Sequence, residues 1–367
     1  MANVFYCPVK VVYGKGCVIE HSSLIAALGT KALIVTTPSS ARNGSRQDVI
    51  AALEKEGMGY AIYDRCENNP SLKMVDDLGE FARNSGCDLV IGVGGGSPMD
   101  CAKAASVLAT NDYPAAELFK NIYPNRPLPL VLIPTTAGTG SEMSYNSVLT
   151  VDGGRNKKSF GTPELHAKLA FLDAAYTEKL PMHLARNTAV DAFAHALEGF
   201  LKPSCSTMGA FFAREVFRGF AECYDALLGD SLDDKTRERL LMNVMYAGIV
   251  IAQERTIGLH VASYPLTALY GVQHGLAVGL PMAAFVKLNY AEAKEKIDEV
   301  LGILGLSSPD DLKGYIGALL EDKNTYTMAD VEKIMEVSLS GIMARENPHK
   351  FTEEEVRQMY LESLNMV

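Results

Sequence analysis

The hydrophobic and polar positions along the chain change rhythm once, near residue 181. Before that point, short apolar runs rich in β-branched residues (KALIVTT from Lys31, GYAIYD from Gly59, CDLVIGVG from Cys87, LPLVLIPTT from Leu128) alternate with other stretches. In those stretches, RQDVIAALEKEG and LKMVDDLGEFARNSG, apolar residues recur every three or four positions. Strand, helix, strand in repetition predicts a parallel sheet covered by helices. Beyond Pro181 the strand-like runs stop. Long amphipathic segments follow, among them TMADVEKIMEVSLSGIMA and TEEEVRQMYLESL, with acidic first turns that suit a helix dipole. The expected architecture is an α/β domain over 1–180 with a parallel, Rossmann-like sheet, then an all-helical domain over 181–367. A chain of 367 residues is too long for one comfortable core, which agrees with two domains.

Two loops in the first half carry candidate chemistry. DLVIGVGGGSPMDCAK sets Gly94, Gly95 and Gly96 between a buried strand and a helix. Ser97 is placed to cap that helix, Pro98 to open it, and Asp100 to close a capping box. Such a turn serves as a well-capped connection, or its glycines and free N–H groups admit a phosphate; the spacing is not GxGxxG. The second loop, PTTAGTGSEMS, gathers the hydroxyls of Thr135, Thr136, Thr139 and Ser141 with two glycines after another apolar strand. These hydroxyls suit a dinucleotide's hydrogen-bonding groups or a polar surface loop.

A different constellation opens the helical half. In VDAFAHALEGF, Asp191 and His195 stand four apart in a strong helix former and share one face. Alone, that pair reads more readily as a salt bridge. GLHVASYPLTALYGVQHG adds His260 and His274, two of only seven histidines, in small apolar surroundings. One carboxylate and three imidazoles make a ligand set for Fe²⁺ or Zn²⁺ with an open position, although spacing alone does not require the two pairs to meet.

Composition narrows the field. A net charge of −10 argues against nucleic-acid or anionic-membrane partners. Seven scattered cysteines without a CxxC pair argue for a reducing cytoplasm over a disulfide framework. The first residues lack the apolar core of a signal peptide, and GLAVGLPMAAFV is too short to span a membrane.

The motifs GGGSPMDCAK, PTTAGTGSE, DAFAHALEGF and HVASYPLTALYGVQHG, in that order, resemble the iron-containing (group III) alcohol dehydrogenase family, over most of the chain. The resemblance implies a dehydroquinate synthase-like fold and NAD(P)-linked interconversion of a small primary alcohol and its aldehyde, whose oxygen binds the metal. It places the metal ligands on Asp191, His195, His260 and His274. Cofactor contacts fall on Gly94, Gly95, Gly96, Ser97, Thr135, Thr136, Thr139 and Lys157. It also implies a homodimer or higher homo-oligomer. The alternatives are another polyol dehydrogenase of the same fold, glycerol dehydrogenase-like, or a non-catalytic relative.

Two positions depart from that family's pattern. Where many members carry a second histidine four residues after the third ligand, this chain has Tyr264. Its phenol assists a proton relay beside the substrate or merely shapes the pocket wall. Where NAD-preferring relatives tend to carry an aspartate, this chain has Thr37, followed by serines and Arg42. A missing carboxylate removes repulsion toward a 2′-phosphate, so NADP(H) is expected to be preferred and NAD(H) accepted. His21, His166, His183 and His349 read as surface or capping residues, Cys101 as packing, and Glu198, one turn after His195, as an acid on a helix surface or else as a hydrogen-bond acceptor behind a metal ligand.

Overall fold

The computed structural model describes residues 4–151, 153 and 156–366. Two compact units emerge. Tyr6–Leu180 with Asp233–Leu241 form one, and Pro181–Leu232 with Met242–Val367 form most of the other.

The first unit is built on strands β1 (Lys10–Tyr13), β2 (Lys31–Thr36), β3 (Gly59–Tyr63), β4 (Leu89–Gly94) and β5 (Leu130–Pro134), then β6 (Ser147–Val151), β7 (Asn156–Phe160) and β8 (Leu169–Leu172). Six of them form a parallel sheet in the order β1-β8-β5-β4-β2-β3. Alternation in β2, β4 and β5 sends Leu33, Val35, Val90, Leu130 and Leu132 to one face, under the Leu72–Ser85 and Gly96–Leu108 helices. Ala32, Ile34, Leu89, Ile91, Val131 and Ile133 go to the other face, under the Ser45–Lys55 helix. A sheet buried on both faces is why these strands read as unbroken apolar runs.

From β2 the chain steps outward to β3, whereas from β4 it steps the opposite way to β5. Adjacent strands β2 and β4 therefore define the switch point where doubly wound sheets hold ligands beyond their carboxyl ends. Thr37 follows directly on β2, Gly94 ends β4 and leads into Gly95–Ser97, and Thr135 follows directly on β5.

Four strands escape the sequence pattern. β1 and β8 are only four residues long, and β6 and β7 form an antiparallel hairpin whose second strand, NKKSF, is mostly polar. The second unit is helical among the described residues, as the amphipathic segments beyond Pro181 predict. Among the described residues no helix is long and apolar enough to cross a membrane.

His349 does not sit loose on the surface. Its Nδ1 meets Glu292 at 2.9 Å and its Nε2 meets Glu355 at 3.1 Å, pinning the C-terminal helix Glu353–Ser363 to the 289–292 segment. Burial pulls its pKa down, but the two carboxylates outweigh that and hold the imidazole above its ordinary value. A raised folded pKa stabilises fully below the unfolded value, near pH 6.5, and the gain is lost as pH rises through the folded value. The Tm deficit of His349→Gln is therefore expected to be roughly 2 °C near pH 6 and to shrink toward zero in alkaline buffer. A deficit that grows with pH contradicts this pairing.

Candidate functional site

The helix Met182–Leu201 is buried on nearly every side from Ala189 onward. One stripe, Phe193 and Phe200, packs against Phe217 and Phe220 of the Thr207–Leu228 helix, with ring centroids 4.8 to 5.6 Å apart. The opposite stripe, at spacings of four and three, carries Asp191, His195 and Glu198.

Helices Gly258–Tyr270 and His274–Gly279 bring two more imidazoles to that stripe. His260 Nε2 lies 3.4 Å, His274 Nε2 3.6 Å and His195 Nε2 3.9 Å from the same oxygen, Asp191 Oδ1. The His195 and His260 rings stack with centroids 4.4 Å apart. Gly275 makes the approach of His274 attainable, because a Cβ there would fall 1.9 Å from the Asn187 carbonyl oxygen. Gln273, just before His274, accepts from Asn187 Nδ2 at 2.6 Å and ties the same two helices.

These residues fit a divalent ion. Donors each about 2.1 Å from one ion stand about 3.4 Å apart at the corners of a tetrahedron, close to the three separations between Asp191 Oδ1 and the imidazole nitrogens. Among the described residues Asp191 Oδ1 and His260 Nε2 are buried with no hydrogen-bond partner, an arrangement that costs free energy unless a cation satisfies both. Electrostatics agree. Burial works against the charged Asp191, but the three imidazoles hold its carboxyl well below the usual carboxylate range. Burial likewise works against a charged His260, but Glu198 and Asp191 carry it up to about 9. His195, where burial dominates, is pushed down to about 4 and offers a neutral lone pair. The pocket thus favours positive charge, from a proton or from the ion that displaces it. Three of the donors keep only 3 to 7% side-chain exposure and His274 keeps 30%, so the cluster opens on His274's side.

Glu198 is not the helix-surface acid that its sequence context suggests. It is fully buried, its Oε2 holds His260 Nδ1, and its Oε1 accepts from the backbone N–H of Ile257 and His260 at 2.9 and 3.2 Å. Its position seven residues after Asp191 and three after His195, on their face, was the signal in the sequence. Tyr264 stands one turn after His260 on the same helix and is half-buried. Burial raises its phenol pKa, Arg345 partly offsets this, and Glu198 and Asp191 add to it. Tyr264 therefore keeps its proton at neutral pH.

In the first unit the two loops lie side by side at the carboxyl edge of the sheet. Thr135 N donates to Gly94 O at 2.9 Å. A Cβ on Gly95 would stand 3.3 Å from Thr136 Oγ1, and one on Gly96 2.8 Å from Thr139 Cγ2. Gly94 has φ 145°, which favours glycine. The expected capping box is absent. The helix Gly96–Leu108 begins two residues earlier than that box requires, with no side-chain cap, and Asp100 is drawn instead to Ser141 Oγ and Val148 N. An uncapped helix start beside crowded glycines fits a pyrophosphate. Ser97 Oγ accepts from Asn69 N at 3.3 Å, and Thr37 Oγ1 shares a 2.6 Å hydrogen bond with Ser39. Lys157 stands on β7, opposite Thr150, whose hydroxyl donates to Asn69 O at 3.0 Å.

Three further groups were not legible in the sequence. Lys103 is fully buried with its ammonium bonded to three oxygens, and Glu142 is fully buried with neither carboxylate oxygen hydrogen-bonded among the described residues. Burial pushes Glu142 up to about 7. His166, expected at the surface, is buried between the rings of Tyr6 and Tyr145 at 5.8 and 5.1 Å, and burial with Lys103 and Lys168 pushes it down to about 4.

A parallel sheet with a glycine-rich turn at its switch point, and a helical unit with a buried Asp-His₃ cluster, agree with a metal-containing oxidoreductase. Residues 8–174 match the family described as iron-containing alcohol dehydrogenase, and 185–364 match the Fe-containing alcohol dehydrogenase family, C-terminal. The chain belongs to the iron-containing alcohol dehydrogenase family. It is 30% identical over 355 residues to sulfoacetaldehyde reductase of Bilophila wadsworthia, covering 95% of this chain and 91% of that one. It is also 30% identical over 312 residues to choline dehydrogenase of Bacillus subtilis, covering 83% and 77%. An iron-containing alcohol dehydrogenase from Thermotoga maritima superposes with a TM-score of 0.91 at 34% identity, over 99% of this chain and 100% of that one. Sulfoacetaldehyde reductase from Bifidobacterium kashiwanohense, solved in complex with NAD+, superposes over both whole chains with a TM-score of 0.84 at 25% identity. The chain is an oxidoreductase that interconverts alcohols and aldehydes.

Proposed function

We propose that Asp191, His195, His260 and His274 hold a divalent ion, Fe²⁺ in preference to Zn²⁺, and that the two hydroxyl- and glycine-bearing loops hold a nicotinamide dinucleotide. The observation that carries this reading is the convergence of three imidazole Nε2 atoms on one carboxylate oxygen at 3.4 to 3.9 Å. When bound, the ion supplies Lewis acidity toward the substrate oxygen and the nicotinamide supplies or accepts hydride. The chain's own groups do the rest. Glu198 fixes the His260 tautomer so that Nε2 faces the cluster. Gly94, Gly95, Gly96 and Ser97 present the helix N-terminus to the pyrophosphate, while Thr135, Thr136, Thr139 and Lys157 add donors. In this reading residues 1–180 are the cofactor domain and residues 181–367 the metal domain.

Thr37, the serines after it and exposed Arg42 support NADP(H) as the preferred dinucleotide, with NAD(H) accepted. Tyr264, protonated, donates a hydrogen bond to the substrate; it is too weak an acid to serve as a base at neutral pH.

The substrate is a small aldehyde or primary alcohol, neutral or anionic. Arg345 supports this: it is exposed, its side chain makes no hydrogen bond or ion pair among the described residues, and its field reaches Tyr264. A cationic alcohol of the kind named for the Bacillus subtilis relative is disfavoured beside it. Seven scattered cysteines without a CxxC pair support a cytoplasmic setting, and a homodimer or larger homo-oligomer is the expected state.

The test is anaerobic purification, metal analysis, and oxidation of NADPH and NADH with neutral, anionic and cationic aldehydes. Stoichiometric metal, a higher kcat/KM with NADPH, and about tenfold lower kcat/KM with Tyr264→Phe are expected. Protein without metal and without activity overturns the proposal; a strong preference for NADH overturns its NADP(H) part; and unchanged turnover by Tyr264→Phe overturns the tyrosine's role.

A further inference from the structure

The helix Gly96–Leu108 carries its one fully buried charge, Lys103, one turn below the Asp100 carboxylate. Burying an ammonium costs several kcal/mol unless it is paired and fully hydrogen-bonded. Here it is: Lys103 Nζ donates to Ser141 O at 2.8 Å, Ser141 Oγ at 2.6 Å and Asn146 O at 2.6 Å, with Asp100 Oδ1 at 3.6 Å. Asp100 completes the ring. It accepts from Ser141 Oγ at 2.8 Å and from Val148 N at 3.0 Å, while its own carbonyl accepts from Ser147 Oγ at 3.0 Å.

Every one of these partners lies on the segment that follows Thr139. Ser141 is the pivotal residue, because its hydroxyl accepts from Lys103 and donates to Asp100, and its backbone N–H reaches Thr139 Oγ1 at 3.4 Å. The helix that begins at Gly96 thus grips the second loop from beneath, two residues after Thr139. Thr139 is thereby pressed against Gly96, where a methyl group would stand 2.8 Å from Thr139 Cγ2.

We infer that Lys103, acting with Asp100 through Ser141, is the positioning residue that joins the glycine turn and the hydroxyl loop into one preformed cradle for the dinucleotide's phosphates. The inference rests on the proposed reading of both loops as cofactor-binding. Lys103 touches no ligand itself. Its contribution is preorganisation, which appears in nucleotide affinity and leaves the metal cluster untouched.

The test uses full-length, metal-loaded protein and measures NADPH and NADH dissociation constants directly, alongside metal content, KM and kcat. Lys103→Met is expected to weaken both dinucleotides by about tenfold or more, with unchanged metal content and with kcat at saturating dinucleotide within about threefold. Ser141→Ala, which removes one acceptor and the link to Asp100, is expected to weaken them by about threefold. A Lys103→Met protein with a lowered Tm and unaltered dinucleotide affinity overturns the inference and makes Lys103 an ordinary buried cation. Should Lys103→Met fail to fold, Ser141→Ala decides, and unaltered affinity there overturns the inference equally. Thr136→Val and Thr139→Val separate the two levels. If they leave affinity unchanged, the reading of the loops falls and the inference with it; if they weaken binding while the Lys103 and Ser141 variants do not, only the positioning role falls.

Discussion

His260→Ala protein is expected to purify without stoichiometric metal and to lose at least about 10³-fold in kcat/KM. The size of the effect follows from what the imidazole does on both of its edges. Nε2 is one of three nitrogens gathered on Asp191 Oδ1, and Nδ1 is the partner of the fully buried Glu198. Truncation deletes a donor and leaves the Glu198 carboxylate with backbone N–H groups alone, a loss of about 3 kcal/mol or more in a buried pair. Metal analysis, activity and thermal unfolding on one preparation distinguish the outcomes. A variant that keeps both metal and turnover removes His260 from the ligand set.

Glu198→Gln is expected to weaken metal binding by about 10- to 100-fold, although Glu198 is not itself a ligand. The carboxylate accepts three hydrogen bonds, from Ile257 N, His260 N and His260 Nδ1. An amide cannot accept with both of its ends. If its oxygen takes the two backbone N–H groups, its NH₂ faces Nδ1, and the imidazole moves its proton to Nε2, where a metal ligand needs a lone pair. If its oxygen takes Nδ1–H, the NH₂ faces two N–H donors. Either arrangement costs the site, while the volume of the side chain is conserved. Competition with a chelator measures the change, and an unaltered affinity contradicts the orienting role of Glu198.

Much of this was legible because it depends on local pattern. β2, β4 and β5 are apolar on both faces and announce themselves as buried parallel strands. Asp191 and His195, and the glycines at 94–96, stand out because few structural needs put those residue types together. What stayed hidden depends on contacts between distant segments. Glu198 is unremarkable among helix acids until Ile257 and His260 arrive from 59 and 62 residues away. Lys103 looks like any helix lysine until the 141–146 segment folds over it. Asp100 was misread for the same reason: local rules offered it a helix N-terminus, and Val148 N offered a better-placed partner. His166 and His349 likewise take their character from Tyr6, Tyr145, Glu292 and Glu355, none of which their immediate neighbours reveal.

The helix Met182–Leu201 has almost no solvent-facing side along its second half, and Asp191, His195 and Glu198 all project from that half. Such a segment favours a helix by its composition, but its apolar sides are satisfied only when its neighbours wrap it. His260 and His274 come from two of those neighbouring helices, so the four donors gather only when the helices have packed. Competence to capture an ion comes at the end of folding, when the wrapping helices are in place. A nascent or partly folded chain offers scattered imidazoles of ordinary affinity, so selection among cellular metals is exercised by the finished pocket and not by the unfolded polymer.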